Sequence, residues 1–137
     1  MGILITGIQG FIGGHLSEFL KSNGLEVAGI QRSVKRQTDS GIRKIYECDI
    51  LHENDLRKVL LSVSPSLIFH LAAQSLPSVS WQDPKGTLQV NLFGALNLLK
   101  CVKTLQLDAR LVFFGSSSEY ARAITRNAAS MQHEYIV

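Results

Sequence analysis

The chain has 137 residues, 45% of them apolar and 18% charged, and a net charge of +3. That size and balance give one globular domain and exclude a disordered chain; no apolar run is long enough to span a bilayer, and no basic stretch leads into a hydrophobic one at the start, so neither a membrane span nor a signal peptide is expected. Cys48 and Cys101 stand alone, too few for a disulfide framework or a zinc site, which suits a reducing cytoplasm and leaves no metal to expect.

In chain order, Ile3–Ile5 reads as a short buried strand. Gly7, Gly10 and Gly13 follow at every third position, and a helical pattern runs over Phe11–Ser22 with Ile12, Leu16, Phe19 and Leu20 on one face, ending at Asn23-Gly24. A strand that feeds a glycine turn and a helix N-terminus makes an anion site of backbone N–H groups. Gly7 and Gly10 would let a pyrophosphate approach the backbone, and Gly13 would let helix and strand pack closely. A glycine turn in an unrelated α/β protein is the blander alternative, and strand, turn and helix in this order favour the dinucleotide reading over it.

Glu26–Ile30 forms a second strand in this pattern and Lys44–Cys48 a third. A helix over Glu53–Val63 turns Leu56, Val59, Leu60 and Val63 inward and stops before Pro65. Leu67–Leu71 is a fourth strand. Asp83-Pro84 supplies an N-cap and a first-turn proline to a helix that runs to about Leu105 and buries Leu88, Leu92, Leu96, Leu99 and Val102. Leu111–Phe114 is the fifth strand. Buried strands alternating with helices predict an α/β fold, a Rossmann-like doubly wound parallel sheet of about five strands in the order 3-2-1-4-5. The Gly7 loop, His70–Ser75 and Gly115–Glu119 all follow strands and are expected to meet at one crevice.

After the second strand the chain reads Gly29-Ile30-Gln31-Arg32-Ser33, without the carboxylate that an NAD site usually places on the ribose diol. Arg32 could meet a 2′-phosphate with its planar fork, supported by Ser33, or be a plain loop residue. NADP is the favoured dinucleotide and NAD stays open. Arg32, Lys35, Arg36, Arg43 and Lys44 form a basic cluster. No helix-turn-helix, zinc or RNA-binding pattern goes with it, so nucleic acid is not an expected partner. Asp49 reads as a turn or capping residue by itself, and His70 as a packed histidine.

Five ordered motifs carry a resemblance. They are Thr6-Gly-Ile-Gln-Gly-Phe-Ile-Gly13, Cys48-Asp49-Ile50, His70-Leu-Ala-Ala-Gln-Ser75, Val90-Asn91-Leu-Phe-Gly94 and Gly115-Ser-Ser-Ser-Glu-Tyr120. The chain resembles the extended short-chain dehydrogenase/reductase family of nucleotide-sugar epimerases, dehydratases and reductases. Ala73-Gln74-Ser75 followed by Ser80-Trp81-Gln82-Asp83-Pro84 looks like its GDP-mannose branch, whose members dehydrate GDP-mannose or reduce its 4-keto-6-deoxy derivative. The resemblance implies a nucleotide-sugar substrate, lyase or oxidoreductase chemistry, a dinucleotide cofactor and a possible homo-oligomer.

Residue by residue, it implies that Gly7, Gly10, Phe11, Ile12 and Gly13 line the pyrophosphate and that Asp49 and Ile50 hold the adenine. Leu71, Ala72 and Ala73 would wall the ribose and nicotinamide, with Gln74 and Ser75 reaching toward nicotinamide or sugar. Asn91 would steady these loops from the long helix. Ser117 matches the family's hydrogen-bond donor to the sugar 4-oxygen, and Glu119 stands near the dehydratase carboxylate that removes a proton at C5. Gly115-Ser-Ser-Ser is also ordinary turn chemistry.

The resemblance covers residues 1 to about 121, a Rossmann domain; residues 122–137 are expected to be a tail outside the family pattern. Ala121 stands where the family has glycine, and the spacing to Tyr120 is more like that of the reductases. The family's Tyr-x-x-x-Lys pair does not occur in this sequence, since Tyr135 is followed by two residues only. A truncated cofactor-binding portion is therefore expected, lacking the last strands and the substrate domain.

Overall fold

β1 (Ile3–Thr6) is buried at every position, because the sheet is covered on both of its faces there. The computed structural model describes residues 2–33 and 44–116. β1 pairs in parallel with β2 (Val27–Gln31) on one side and with β4 (Leu67–His70) on the other. β3 (Lys44–Glu47) and β5 (Arg110–Phe113) complete a five-stranded sheet in the order β3-β2-β1-β4-β5. The expected order is the observed one, with strand ends moved by a residue.

Alternate side chains of each strand go to opposite faces. Ile3, Ile5 and Val27 pack with Ile8 and Leu20 under α1 (Phe11–Ser22). Leu4, Ala28, Ile30 and Ile68 pack on the other face with Leu56 and Leu60 of α2 (Glu53–Val63), and with Leu98, Cys101 and Val102 of α5 (Gly94–Thr104). Lys100 of α5 also pairs with Glu53 of α2 at 2.6 Å.

Two helix faces differ from expectation. In α1 the buried residues are Gly13, Ser17 and Leu20, whereas Ile12 and Phe19 are exposed. In the long helical stretch Leu88, Leu92, Leu96 and Leu99 are exposed, and the inward face is Gly94, Leu98, Cys101 and Val102. The cause is close packing. A Cβ at Gly94 would lie 2.9 Å from Ile50 Cγ1, so α5 approaches the sheet along its small residues and turns its leucine stripe outward.

The stretch is also not one regular helix. α3 (Pro77–Gln82) precedes it, and α4 (Pro84–Leu88) passes through a π-turn at Gln89–Phe93 into α5. Asp83 caps α4 as expected, its Oδ1 accepting from Gly86 N at 2.8 Å. Among the described residues, no helix is long and apolar enough to cross a membrane.

Candidate dinucleotide-binding site

β1 delivers the chain to Gly7, whose φ of +70° is a conformation that side-chain-bearing residues rarely adopt. A Cβ there would lie 2.9 Å from both the Cα and the N of Ala72, so the turn after β4 presses directly on the glycine. Gly7 N donates to Ile30 O at 2.8 Å, and Gly10 N donates to Gly7 O at 2.9 Å. At Gly13 a Cβ would come within 2.9 Å of Ile8 Cα, which makes this glycine a packing requirement. Gly10 differs, for its Cβ would meet only Gly7 O at 3.1 Å. It is the N-cap of α1, with no side-chain cap and no acid in the first turn. The first-turn N–H groups thus have no carboxylate of their own and suit an anion.

A cleft of about 540 Å³ opens at the carboxyl ends of the strands. Gly7, Gly10, Arg32, Asp49, Ile50, Leu71, Ala72, Ala73 and Gln74 line it, so nine of the expected binding residues come together. Phe11 and Ile12 do not line it; both are exposed, and Phe11 meets His15 edge-on at 4.9 Å between ring centroids. Gly13 is buried behind the turn, and Ser75 is exposed outside the cleft wall. Asn91 acts at one remove, accepting from Gln74 N at 2.7 Å and donating to Gln74 O at 3.0 Å. The π-turn contains this residue, in keeping with the frequent use of such turns at functional sites. Ser117, Glu119 and Tyr120, like Lys35, Arg36, Arg43 and the tail 122–137, lie outside the described residues.

Asp49 Oδ1 accepts from Leu51 N at 2.9 Å, the local turn bond that its residue type favours. Asn97 on α5 supports the same loop by donating to Ile50 O at 3.2 Å and Leu51 O at 3.1 Å. Cys48 also lines the cleft, but burial, with Asp55 and Asp49 nearby, pushes its thiol up to about 11. A thiol so protonated is no nucleophile at neutral pH.

Gln31 lines the cleft where an NAD site carries its acid, and its Oε1 accepts from Gln9 N at 3.2 Å. Its carboxamide has two N–H donors and one remaining lone pair, beside the five donors of the Arg32 guanidinium. Asn97 lies outside the motifs, and Thr6 opens the first of them without a role read from it. Asn97 had a usable signal, since a mid-helix asparagine needs a partner. Gly86 and Thr87 of α4 form a further wall that depends on where α3 and α4 fold back.

A glycine turn into a helix N-terminus, with a cleft at the switch point of a five-stranded parallel sheet, is the arrangement of the Rossmann-like α/β folds. The chain belongs to the NAD dependent epimerase/dehydratase family, whose model matches residues 3–135. It is 34% identical over 128 residues to a GDP-mannose 4,6-dehydratase of Vibrio cholerae, an alignment covering 84% of this chain and 34% of that protein. It is 29% identical to CDP-paratose 2-epimerase of Salmonella typhi, over 88% of this chain and 38% of that one. Among solved structures it is similar to the NAD complex of UDP-glucose 4-epimerase from Thermus thermophilus, with TM-score 0.72 and 32% identity over 78% of this chain and 35% of that one. The chain thus spans about a third of the length of the curated relatives it matches.

Proposed function

We propose that this chain is the cofactor-binding portion of an NADP-dependent nucleotide-sugar enzyme of the GDP-mannose 4,6-dehydratase or 4-keto-6-deoxymannose reductase type. The observation that carries the cofactor is the rim formed by Gln31 and Arg32. Gln31 and Arg32 stand where an NAD site carries a carboxylate for the ribose diol, and one of the two lone pairs of Gln31 Oε1 is taken by Gln9 N. A 2′-phosphate needs donors, which the Arg32 guanidinium and the Gln31 carboxamide supply. The uncapped N-terminus of α1 and the small Gly10 fit the pyrophosphate.

Asp49 and Ile50 would hold the adenine, and Leu71, Ala72 and Ala73 the nicotinamide side. When bound, the nicotinamide supplies a hydride acceptor and donor. The sugar type rests on the Ala73-Gln74-Ser75 and Ser80–Pro84 motifs, together with the Vibrio cholerae relative. Gln74 and Ser75 would reach toward the sugar, Ser117 would donate to its 4-oxygen, and Glu119 is the candidate base. Residues 1–121 form the Rossmann part of this reading and 122–137 its tail. The reading places the protein in the cytoplasm and allows a homo-oligomer.

Fluorescence titration of the purified chain with NADPH and with NADH tests the cofactor. NADPH binds more tightly, and Arg32→Ala removes most of that preference; tighter NADH binding overturns the NADP assignment. Turnover of GDP-mannose with NADP supplied supports the sugar type, and turnover of UDP-glucose alone overturns it. NADPH binding with no turnover leaves a dinucleotide-binding module, the alternative reading of the same residues.

A further inference from the structure

Thr6 ends β1 and is fully buried, and His70 ends the neighbouring β4 and is nearly so. Thr6 Oγ1 lies 2.9 Å from His70 Nδ1, 3.2 Å from Leu71 N and 3.1 Å from Ala72 N. The two backbone N–H groups can only donate: Ala72 N gives its proton to the hydroxyl, and Leu71 N shares its own between Thr6 Oγ1 and the Thr6 carbonyl oxygen, also at 3.2 Å. With these donors on its lone pairs, the hydroxyl is disposed to give its single proton to His70 Nδ1, the arrangement of the neutral Nε2–H tautomer.

We propose that Thr6 and His70 form a positioning pair for the dinucleotide cleft. The imidazole fixes the rotation of the hydroxyl, and the hydroxyl holds the Leu71 and Ala72 amides. Those two residues are the cleft wall, and Ala72 is the backbone pressed against Gly7. The His70 ring also meets the Phe113 ring at 5.3 Å between centroids, which ties the same pair to the end of β5. One hydroxyl thereby sets the relative position of the phosphate turn and the nicotinamide-side wall. This inference rests on the dinucleotide reading of the cleft. Burial also disfavours the charged imidazole, in keeping with a neutral ring that has one acceptor nitrogen.

The test compares Thr6→Val, Thr6→Ser, His70→Asn and His70→Leu for NADPH affinity by fluorescence, beside ¹⁵N NMR of His70. Thr6→Val keeps the shape and loses the hydroxyl, so NADPH binding weakens on the order of tenfold. Thr6→Ser restores it. His70→Asn keeps an acceptor near the Nδ1 position and binds better than His70→Leu. Unchanged affinity in Thr6→Val, or no rescue by Thr6→Ser, overturns the proposal. If Thr6→Val does not fold, the two His70 variants and the tautomer decide: equal affinities, or a proton on Nδ1, overturn it. If the wild-type chain binds neither NADPH nor NADH, the dinucleotide reading fails, while a protonated Nδ1 would separately refute the pair.

Discussion

Asn91 and Gln74 are joined by two hydrogen bonds, the asparagine carboxamide taking both the N–H and the C=O of the Gln74 backbone. A side chain that matches a peptide unit in this way replaces a missing strand partner for the loop after β4. Asn91 is exposed and Gln74 half-buried, and both bonds lie at the surface, so each contributes less than a buried one would.

Asn91→Ala should therefore cost about 1–2 kcal/mol. Urea denaturation measures the loss, and hydrogen exchange locates it, with the Gln74 amide exchanging faster than in the wild type. Unchanged protection at Gln74 would show that the loop is held by other contacts.

The glycines of the first turn separate folding from binding. Gly13→Ala forces a Cβ to within 2.9 Å of Ile8 Cα and should destabilise by about 1–3 kcal/mol or more. Gly10 has φ −72°, which alanine accepts, and its Cβ meets only Gly7 O at 3.1 Å. Gly10→Ala should lower the melting temperature less than Gly13→Ala and weaken NADPH binding by narrowing the anion seat. Thermal melts paired with nucleotide titration distinguish the two.

The outward turn of the α5 leucines gives a second contrast. Leu98 is fully buried and Leu96 is 48% exposed. Leu98→Ala should cost about 2–5 kcal/mol through lost burial and a cavity. Leu96→Ala should stay within about 0.5 kcal/mol. Equal losses in chemical denaturation would contradict the packed face described above.

Burial lowers the pKa of His70 below its ordinary value of 6.5. As pH falls below 6.5, the unfolded chain takes up a proton that the folded imidazole still refuses, so the unfolded state gains. The His70 contribution to stability is complete above that pH, is lost as pH falls toward the folded pKa, and changes no further below it. His70→Asn should flatten this acid limb in melts recorded between about pH 7 and pH 5. A limb as steep as in the wild type would assign the acid sensitivity to other groups.

Strand order was legible because each strand is a short run bearing apolar residues, buried in β1 and nearly so in β2 and half-exposed at the edges β3 and β5, and parallel pairing needs a helical crossover whose length shows in the chain. The anion turn was legible for a similar reason. Gly7 and Gly13 answer local demands, a positive φ and a close helix–strand approach, that only glycine meets. The absence of an acid beside Arg32 was equally plain from the residues Gly29–Ser33.

The inward face of the long helix was not legible. Leu88, Leu92, Leu96 and Leu99 make as good an apolar period as Gly94, Leu98, Cys101 and Val102. Periodicity finds both stripes but does not choose between them. The choice falls to three-dimensional fit, in which Gly94 admits Ile50 and the π-turn inserts its extra residue before α5. The polar joints were hidden for the same reason. The Thr6–His70 bond spans 64 positions and the Asn97–Ile50 bond 47, and no local pattern records such pairs. The sequence by itself determined the class of fold, the glycine turn and the residue types at the cleft. Only the tertiary structure decided which helix face is buried and which side chains hold the cleft walls, because those depend on the distance between elements brought together from far apart in the chain.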